Sequence, residues 1–226
     1  MCGISGIFNP GGEPVDRQIL TGMTGVLKHR GPDGEGFYLH GNIGLGHRRL
    51  KIIDLSENGK QPMSSEDRTV WVTYNGEIYN YKDLTFELLA RGDIFNSSTD
   101  SEVIVHAFEE WGIQCVSHFN GMFSFAIYDE KEKALYLVRD RLGIKPLFYH
   151  ASGQQLIFAS EIKAILSSPG VPREIDAHCL HNYFSLNYVT APLTLFRNIF
   201  QLLPGHYLKV SKDITSLVRY WDVSFS

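Results

Sequence analysis

The order of strand-like and helix-like segments constrains this chain more than any other feature. Short β-rich runs come first: "ISGIF" at residues 4–8, then "GFYLH" and "IGLGHRRL", joined by the turn signal Gly41-Asn42. Between them, Ile19, Leu20, Met23, Val26 and Leu27 fall at helical spacing in "VDRQILTGMTGVLKHR". Asp16 lies near that helix's start and "RGPDGEG" ends it. "TVWVTYNGE" is a β-rich run broken at Asn75-Gly76. Two helical segments occupy the middle. "YKDLTFELLARG" closes on Gly92, and "TDSEVIVHAFEEWG" has a Thr or Asp cap with Val103, Ile104, Ala107 and Phe108 on one face. Strands then resume: "GMFSFAIYD" with "KALYLVRD", then "PLFYHAS" with "QLIFAS". "SEIKAIL" reads as a short helix, "SSPGVPREI" as an internal linker ahead of a helix around "DAHCLHNYF", and "RNIFQLL" and "GHYLKV" as the last two strands. A doubly wound fold alternates strand and helix throughout. This chain does not, so the pattern predicts an α+β domain of antiparallel sheets with helices layered outside.

The chain has 226 residues, enough for one large domain or two small ones. Lys and Arg number 21 against 25 Asp and Glu, a net charge of -4, with no basic run, so neither nucleic acid nor a membrane surface is expected as a partner. No apolar stretch approaches the length of a membrane span, and the first residues lack the pattern of a signal peptide. The three cysteines are too scattered for a disulfide framework and form no zinc motif, which fits a reducing, cytoplasmic compartment. Cys115 and Cys179 read as small buried hydrophobes. Glycine-rich phosphate loops are missing too, including Ser-Gly-Gly-x-Asp-Ser, so no cofactor, metal or ATP is expected on this chain.

Against that background "MCGISGIF" stands out. Chain ends fray, and a frayed end is a poor place for a structural thiol. If Met1 is removed, Cys2 becomes the terminus and its α-amine, with a reference pKa near ~7.8, sits beside its own sulfur. An N-terminal nucleophile activated by its own amine needs no separate histidine.

The stretches "MCGISGIF", "LKHRGPDGEG", "LGHRRLKIIDLSENGKQPM", "YNGEIYNYKDL", "TDSEVIVHAFEEWG", "FNGMFSFAIYD", "RDRLGIKPLFY", "FASEIKAIL" and "LPGHYL" resemble one family, from Cys2 to about Tyr220. It is the glutamine-hydrolysing half of B-type bacterial asparagine synthetases, a class II glutamine amidotransferase of the N-terminal-nucleophile (Ntn) hydrolase type. "RGPD" and "NGEIYNY" look like the asparagine synthetase branch rather than the purine or glucosamine-phosphate branches.

That resemblance implies a four-layer αββα sandwich of two antiparallel sheets. It also implies a glutamine pocket, in which Arg49 clamps the α-carboxylate and Glu77 and Asp100 meet the α-ammonium. Backbone from Leu50 through Ile52 and Ile53 lines the pocket. Asn75 and Gly76 form an oxyanion hole, and Cys2 is the nucleophile that forms a glutamyl thioester. Residues 1–213 correspond to the amidotransferase domain and 214–226 to the start of a linker. The family's second domain, an ATP- and magnesium-dependent synthetase that amidates aspartate, is the expected partner, on the same or a separate chain. A covered route for unprotonated ammonia is expected between the two, and a homodimer is left open.

Duller readings stand beside these. Asn75-Gly76 alone is a turn signal. Asp100 could cap the following helix, and Arg48 reads as solvated. Arg30 reads as positioning its loop, "DRLGIKPLFY" as packing and turn, and His29 and His47 as structural. Three competing functions are a silent regulatory or dimerisation module with Met1 retained, an amidotransferase half serving another carboxylate, and a cysteine protease. The protease is disfavoured because Arg49, Glu77 and Asp100 suit a free amino acid.

Overall fold

The computed structural model describes residues 1–54, 56–153 and 155–224. Twelve strands among them build two sheets. The first contains β1 (Gly3–Phe8), β2 (Gly34–His40), β3 (Ile43–Arg49), β8 (Phe148–Ser152), β9 (Gln155–Ala159) and β10 (Ile199–Gln201), in the order β10-β8-β9-β1-β3-β2. The second contains β4 (Met63–Ser64), β5 (Val70–Ile78), β6 (Gly121–Asp129), β7 (Ala134–Arg139), β11 (His206–Val210) and β12 (Thr215–Arg219), in the order β12-β11-β7-β6-β5-β4. Every strand pairing within them is antiparallel.

Strand alternation sorts the side chains into three cores. In β6, Phe123, Phe125 and Ile127 join a cluster under α2 (Tyr81–Arg91) and α3 (Asp100–Trp111), through Leu84, Leu88, Val103, Ile104 and Ala107. Their neighbours Ala126 and Tyr128 turn the other way and meet Ile4, Phe8, Ile43 and Leu45 of the first sheet. Ile7 of β1 and Ile157 and Ala159 of β9 face outward instead. They pack on Leu20 and Met23 of α1 (Arg17–Gly25) and on Ala164 and Ile165 of α4 (Ile162–Leu166). The layers are therefore α1 and α4, sheet, sheet, α2 and α3, which is the expected αββα sandwich. With both faces covered, β1 and β7 are buried along their whole lengths. They read as continuous apolar or small-residue runs rather than half-polar ones.

Four local expectations change. β5 runs unbroken through Asn75 and Gly76, paired along its length with β6, so that dipeptide is strand and not turn. Helix α1 closes at Gly25, earlier than its apolar spacing suggests. Asp16 caps it by accepting from the Gln18 N–H at 2.7 Å. Residues 167–175 are not a linker between units: Val171 is buried in the α4 cluster, and Ile175 bridges to Phe196. The stretch leads into α5 (Ala177–Leu186), which Asp176 caps. Finally, the second sheet runs past residue 213, because β12 pairs with β11 from Val210↔Thr215 to His206↔Arg219. The sequence hid β12 because its side chains alternate between half-buried and exposed, as expected of an edge strand. Cys115 and Cys179 are both buried.

Candidate active site

The same alternation that builds the central core also builds the site. Ile43, Leu45, His47 and Arg49 share one face of β3, turned toward the second sheet; Thr73, Asn75 and Glu77 share the facing side of β5. Towards one end of the sandwich, polar side chains therefore replace apolar ones between the sheets. The β1–β3 ladder ends at Gly3↔Arg48, so one further step brings Cys2 opposite Arg49, just before Leu50. The Leu50 N–H points at the Cys2 Sγ at 3.4 Å. Burial pushes the Cys2 thiol above its ordinary pKa, while the Leu50 N–H, the positive N-terminus and Arg49 pull it down.

These residues open onto a cavity of about 180 Å³. All nine residues singled out in the sequence line it: Cys2, Arg49, Leu50, Ile52, Ile53, Asn75, Gly76, Glu77 and Asp100. Gln61, Tyr74, Thr99, Ser101, Met122 and Lys145, none of them anticipated, line it as well.

The edge of β5 carries the most informative geometry. β4 pairs with β5 only at Trp71 and Val72, so the edge beyond them lacks a strand partner. On the other side, Gly76 stands opposite Phe123 of β6. Phe123 spends both backbone groups on Asp140: its N–H donates to the carboxylate at 3.1 Å, and its carbonyl accepts the Asp140 N–H at 2.8 Å. Gly76 and Phe123 are therefore a non-hydrogen-bonded pair, and the N–H groups of residues 74, 76 and 78 all point to the open edge. The Tyr74 N–H donates to Gln61 Oε1 at 2.7 Å and the Ile78 N–H to Asp100 Oδ2 at 2.9 Å. Between them, no described side chain accepts from the Gly76 N–H, and it faces the cavity. Glycine is required at 76 because a Cβ would strike Met122 O and Phe123 of the neighbouring strand.

Next to it, the Asn75 amide is 1% exposed, yet among the described residues neither Oδ1 nor Nδ2 has a hydrogen-bond partner. Buried polar atoms are normally satisfied, so an orphaned amide on a cavity wall marks a place prepared for a ligand.

Arg49 is 8% exposed; Nη1 donates to Ser56 O at 2.7 Å and Nη2 to Asp54 O at 2.6 Å. Two of its five N–H donors are thus spent on Asp54 and Ser56, leaving others for the cavity. Gly59 makes room for this guanidinium, since a Cβ there would strike Nη2. Asp100 does not cap α3. Its Oδ2 accepts from the Tyr74 hydroxyl at 2.6 Å and from the Ile78 N–H, so it ties helix to sheet. Burial nonetheless pushes its carboxyl above the ordinary value.

Arg30 holds the Cys2 carbonyl at 2.9 Å through Nε and pairs with Glu161. Arg48 is not solvated: its side chain is 14% exposed, pairs with Glu35 at 2.8 Å and donates to Thr24 O. His29 lies outside the cavity lining, bonded to Glu161. His47 is fully buried with Nε2 at 3.1 Å from Tyr74 O, and burial drives its pKa down to about 3. Because a carbonyl only accepts, the proton sits on Nε2.

At the start of "DRLGIKPLFY", Asp140 and the preceding Arg139 form the expected packing knot. Arg139 donates to three carbonyls, and Asp140 accepts from the amides of Phe123, Leu142, Ile144 and Lys145. Lys145, however, reaches the cavity.

Elsewhere among the described residues, Glu66, His106 and Glu109 bring potential metal-ligand atoms within 4.8 Å of one another. Glu66 faces Nε2 at 3.9 Å and Glu109 faces Nδ1 at 3.6 Å, so no single nitrogen gathers both carboxylates. Burial lowers the His106 pKa, but the hydrogen bond to Glu102 and the charges of Glu66, Asp93 and Glu102 raise it above its ordinary value.

A family model described as "Glutamine amidotransferase domain" matches residues 1–221. The chain belongs to the class II glutamine amidotransferase family. It is 41% identical over 227 residues to "Asparagine synthetase [glutamine-hydrolyzing] 3" of Bacillus subtilis, a match covering 99% of this chain and 37% of that protein. To "Asparagine synthetase [glutamine-hydrolyzing] 2" of the same organism it is 42% identical over 233 residues, covering 99% of this chain and 31% of that protein. The chain thus spans about a third of the length of these curated relatives. Among solved structures, the fold resembles glutamine phosphoribosylpyrophosphate amidotransferase from B. subtilis, with a TM-score of 0.71 and 20% identity over 97% of this chain and 49% of that one. At that identity the likeness shows the two-sheet sandwich fold and nothing finer.

Proposed function

We propose that this domain hydrolyses glutamine to glutamate and ammonia with Cys2 as nucleophile. The observation that carries the reading is the pairing of the Asn75 amide, buried without a partner, with the Gly76 N–H on the open strand edge. Both lie in the cavity that Cys2 lines. Two donors on one cavity wall beside a nucleophile suit an oxygen that becomes negative in a tetrahedral intermediate.

Removal of Met1 converts the Cys2 amide nitrogen into a free amine. That amine takes the thiol proton, and the thiolate attacks the glutamine carboxamide carbon. The carbonyl oxygen becomes an oxyanion held by Asn75 Nδ2 and Gly76 N–H. Collapse restores the carbonyl, breaks the C–N bond, and returns the proton from the ammonium to the departing nitrogen, giving ammonia and a glutamyl thioester. Water, deprotonated by the same amine, then cleaves the thioester to glutamate. The remaining N–H donors of Arg49 serve the substrate α-carboxylate, and the carboxylates of Glu77 and Asp100 serve its α-ammonium. Leu50, Ile52 and Ile53 line the same cavity. The cavity, well below the ~300–1,000 Å³ of pockets for drug-sized ligands, suits a free amino acid better than a chain interior.

The relatives' names and length support a synthetase portion as the consumer of the ammonia, with ATP and magnesium bound there. Aspartate is the preferred acceptor, and the setting is cytoplasmic; no described helix is long and apolar enough to cross a membrane. The first residues of the linker then follow β12 rather than residue 213.

The test is glutamate release from glutamine by protein whose intact mass shows loss of one methionine. Turnover by the processed form and none by a form retaining Met1 supports the reading. A processed, folded chain that leaves glutamine intact even beside a synthetase partner refutes it.

A further inference from the structure

Lys145 is 5% exposed, yet it lines the cavity together with Cys2 and Glu77. Its backbone is fixed on both sides of the residue: the N–H donates to Asp140 Oδ2 at 3.0 Å and the carbonyl accepts from Arg139 Nε at 2.9 Å. Its ammonium is not fixed in this way. Among the described residues, no carboxylate oxygen lies within 4.0 Å of Nζ, and none accepts a hydrogen bond from it. A buried cation normally has a counter-ion, because desolvating an unpaired charge is costly. Here the charge is held by a rigid knot on a cavity wall and left open toward the cavity.

We propose that Lys145 is a positioning residue of the glutaminase reaction, setting the proton balance at Cys2 through an unpaired positive charge fixed in the cavity wall. The inference rests on the function proposed above. A nearby cation favours the deprotonated form of every group around it. It therefore makes the thiol more acidic and keeps the new terminal amine in its free-base form, both of which the nucleophile needs near neutral pH. The surrounding charges agree in direction. At the Met1 amine of the unprocessed chain, one residue before that position, burial lowers the pKa most, and Arg30 and Lys145 lower it further, against Cys2 and Asp33. At the thiol, Arg49 lowers while Asp100 raises. Lys145 is itself pulled below its ordinary value by burial and by Arg30, against Glu77, Asp140 and Cys2. The sequence reads this segment as a packing and turn motif, which describes Asp140, five residues earlier, but not Lys145.

The test compares K145M and K145Q, which remove the charge, with K145R, which keeps it. Two pH profiles are read on Met1-processed protein: the alkylation rate of Cys2 by iodoacetamide, followed by mass mapping, and kcat/KM for glutamine. Cys115 and Cys179 are buried and do not compete. In the neutral variants, the alkylation midpoint and the acidic limb of kcat/KM should both rise by about one pH unit, a roughly tenfold loss at fixed pH below the midpoint. K145R should restore both. Wild-type midpoints in K145M and K145Q, or a shift in K145R equal to theirs, overturn the proposal. So does failure of both neutral variants to fold, since the Nζ is assigned no bond in the structure. The two readings separate cleanly. A processed wild type that releases no glutamate refutes the activity, while the alkylation profile, which needs no turnover, still decides the role of Lys145.

Discussion

Asn75→Ala should weaken catalysis and leave the fold as stable as before or more so. Both amide atoms of Asn75 are buried without partners, so the substitution breaks no hydrogen bond of the resting structure. It removes instead a buried unsatisfied group, whose desolvation costs on the order of 1–3 kcal/mol. Loss of side-chain packing works against that gain. Each kcal/mol shifts the melting temperature of a chain this size by about 2–4 °C, so Tm should stay level or rise by a few degrees. In the transition state the balance reverses, because one of two donors to the oxyanion is gone. A loss of ~100- to 1000-fold in kcat follows, about 2.7–4 kcal/mol. KM should change little, since the donor acts on an oxygen that carries full charge only after attack. A coupled assay of glutamate release and a thermal melt on the same preparation check both halves. A variant keeping a third or more of wild-type kcat would remove Asn75 from the oxyanion hole. A Tm drop beyond about 5 °C would show that the amide is structural after all.

Cys2→Ala should abolish glutamate release without altering the melt; measurable turnover in that variant ends the thiol mechanism. Tyr74→Phe deletes the 2.6 Å bond to Asp100 and leaves that carboxylate with the Ile78 N–H. Chemical denaturation should show a loss of roughly 1.5–3 kcal/mol, and an unchanged midpoint contradicts the geometry. His47 should make stability fall as pH drops. Its folded pKa is depressed to about 3, so between the unfolded value near ~6.5 and that point the unfolded state binds one more proton. Its contribution is complete above the unfolded value and declines by about 1.4 kcal/mol per pH unit below it. His47→Gln should flatten that slope, and an unchanged slope in the variant would show that other groups cause it.

Local chemistry made much of this molecule legible. The order of apolar runs already pointed to antiparallel sheets with helices outside, because a strand's two-residue period and a helix's 3.6-residue period are written directly into the positions of Ile, Val, Leu and Phe. Cys2 was nameable from its place behind Met1, and Arg49, Asn75, Gly76, Glu77 and Asp100 through motifs that resemble the amidotransferase family, with residue types that suit glutamine. Yet β12 was invisible, because an edge strand at the surface needs no apolar stripe.

What the sequence alone could determine was which residues carry suitable chemistry and which segments alternate. Only the tertiary structure decided that Asn75-Gly76 is strand rather than turn. A dipeptide's own preference yields when a neighbouring strand pairs along its whole length. Only the packing of two sheets decided that Tyr74 and Gln61 complete the β5 edge, that Asp100 braces it, and that Lys145 reaches the cavity rather than the solvent. These assignments depend on residues far apart in the chain coming within a few ångströms, and no local pattern records such distances.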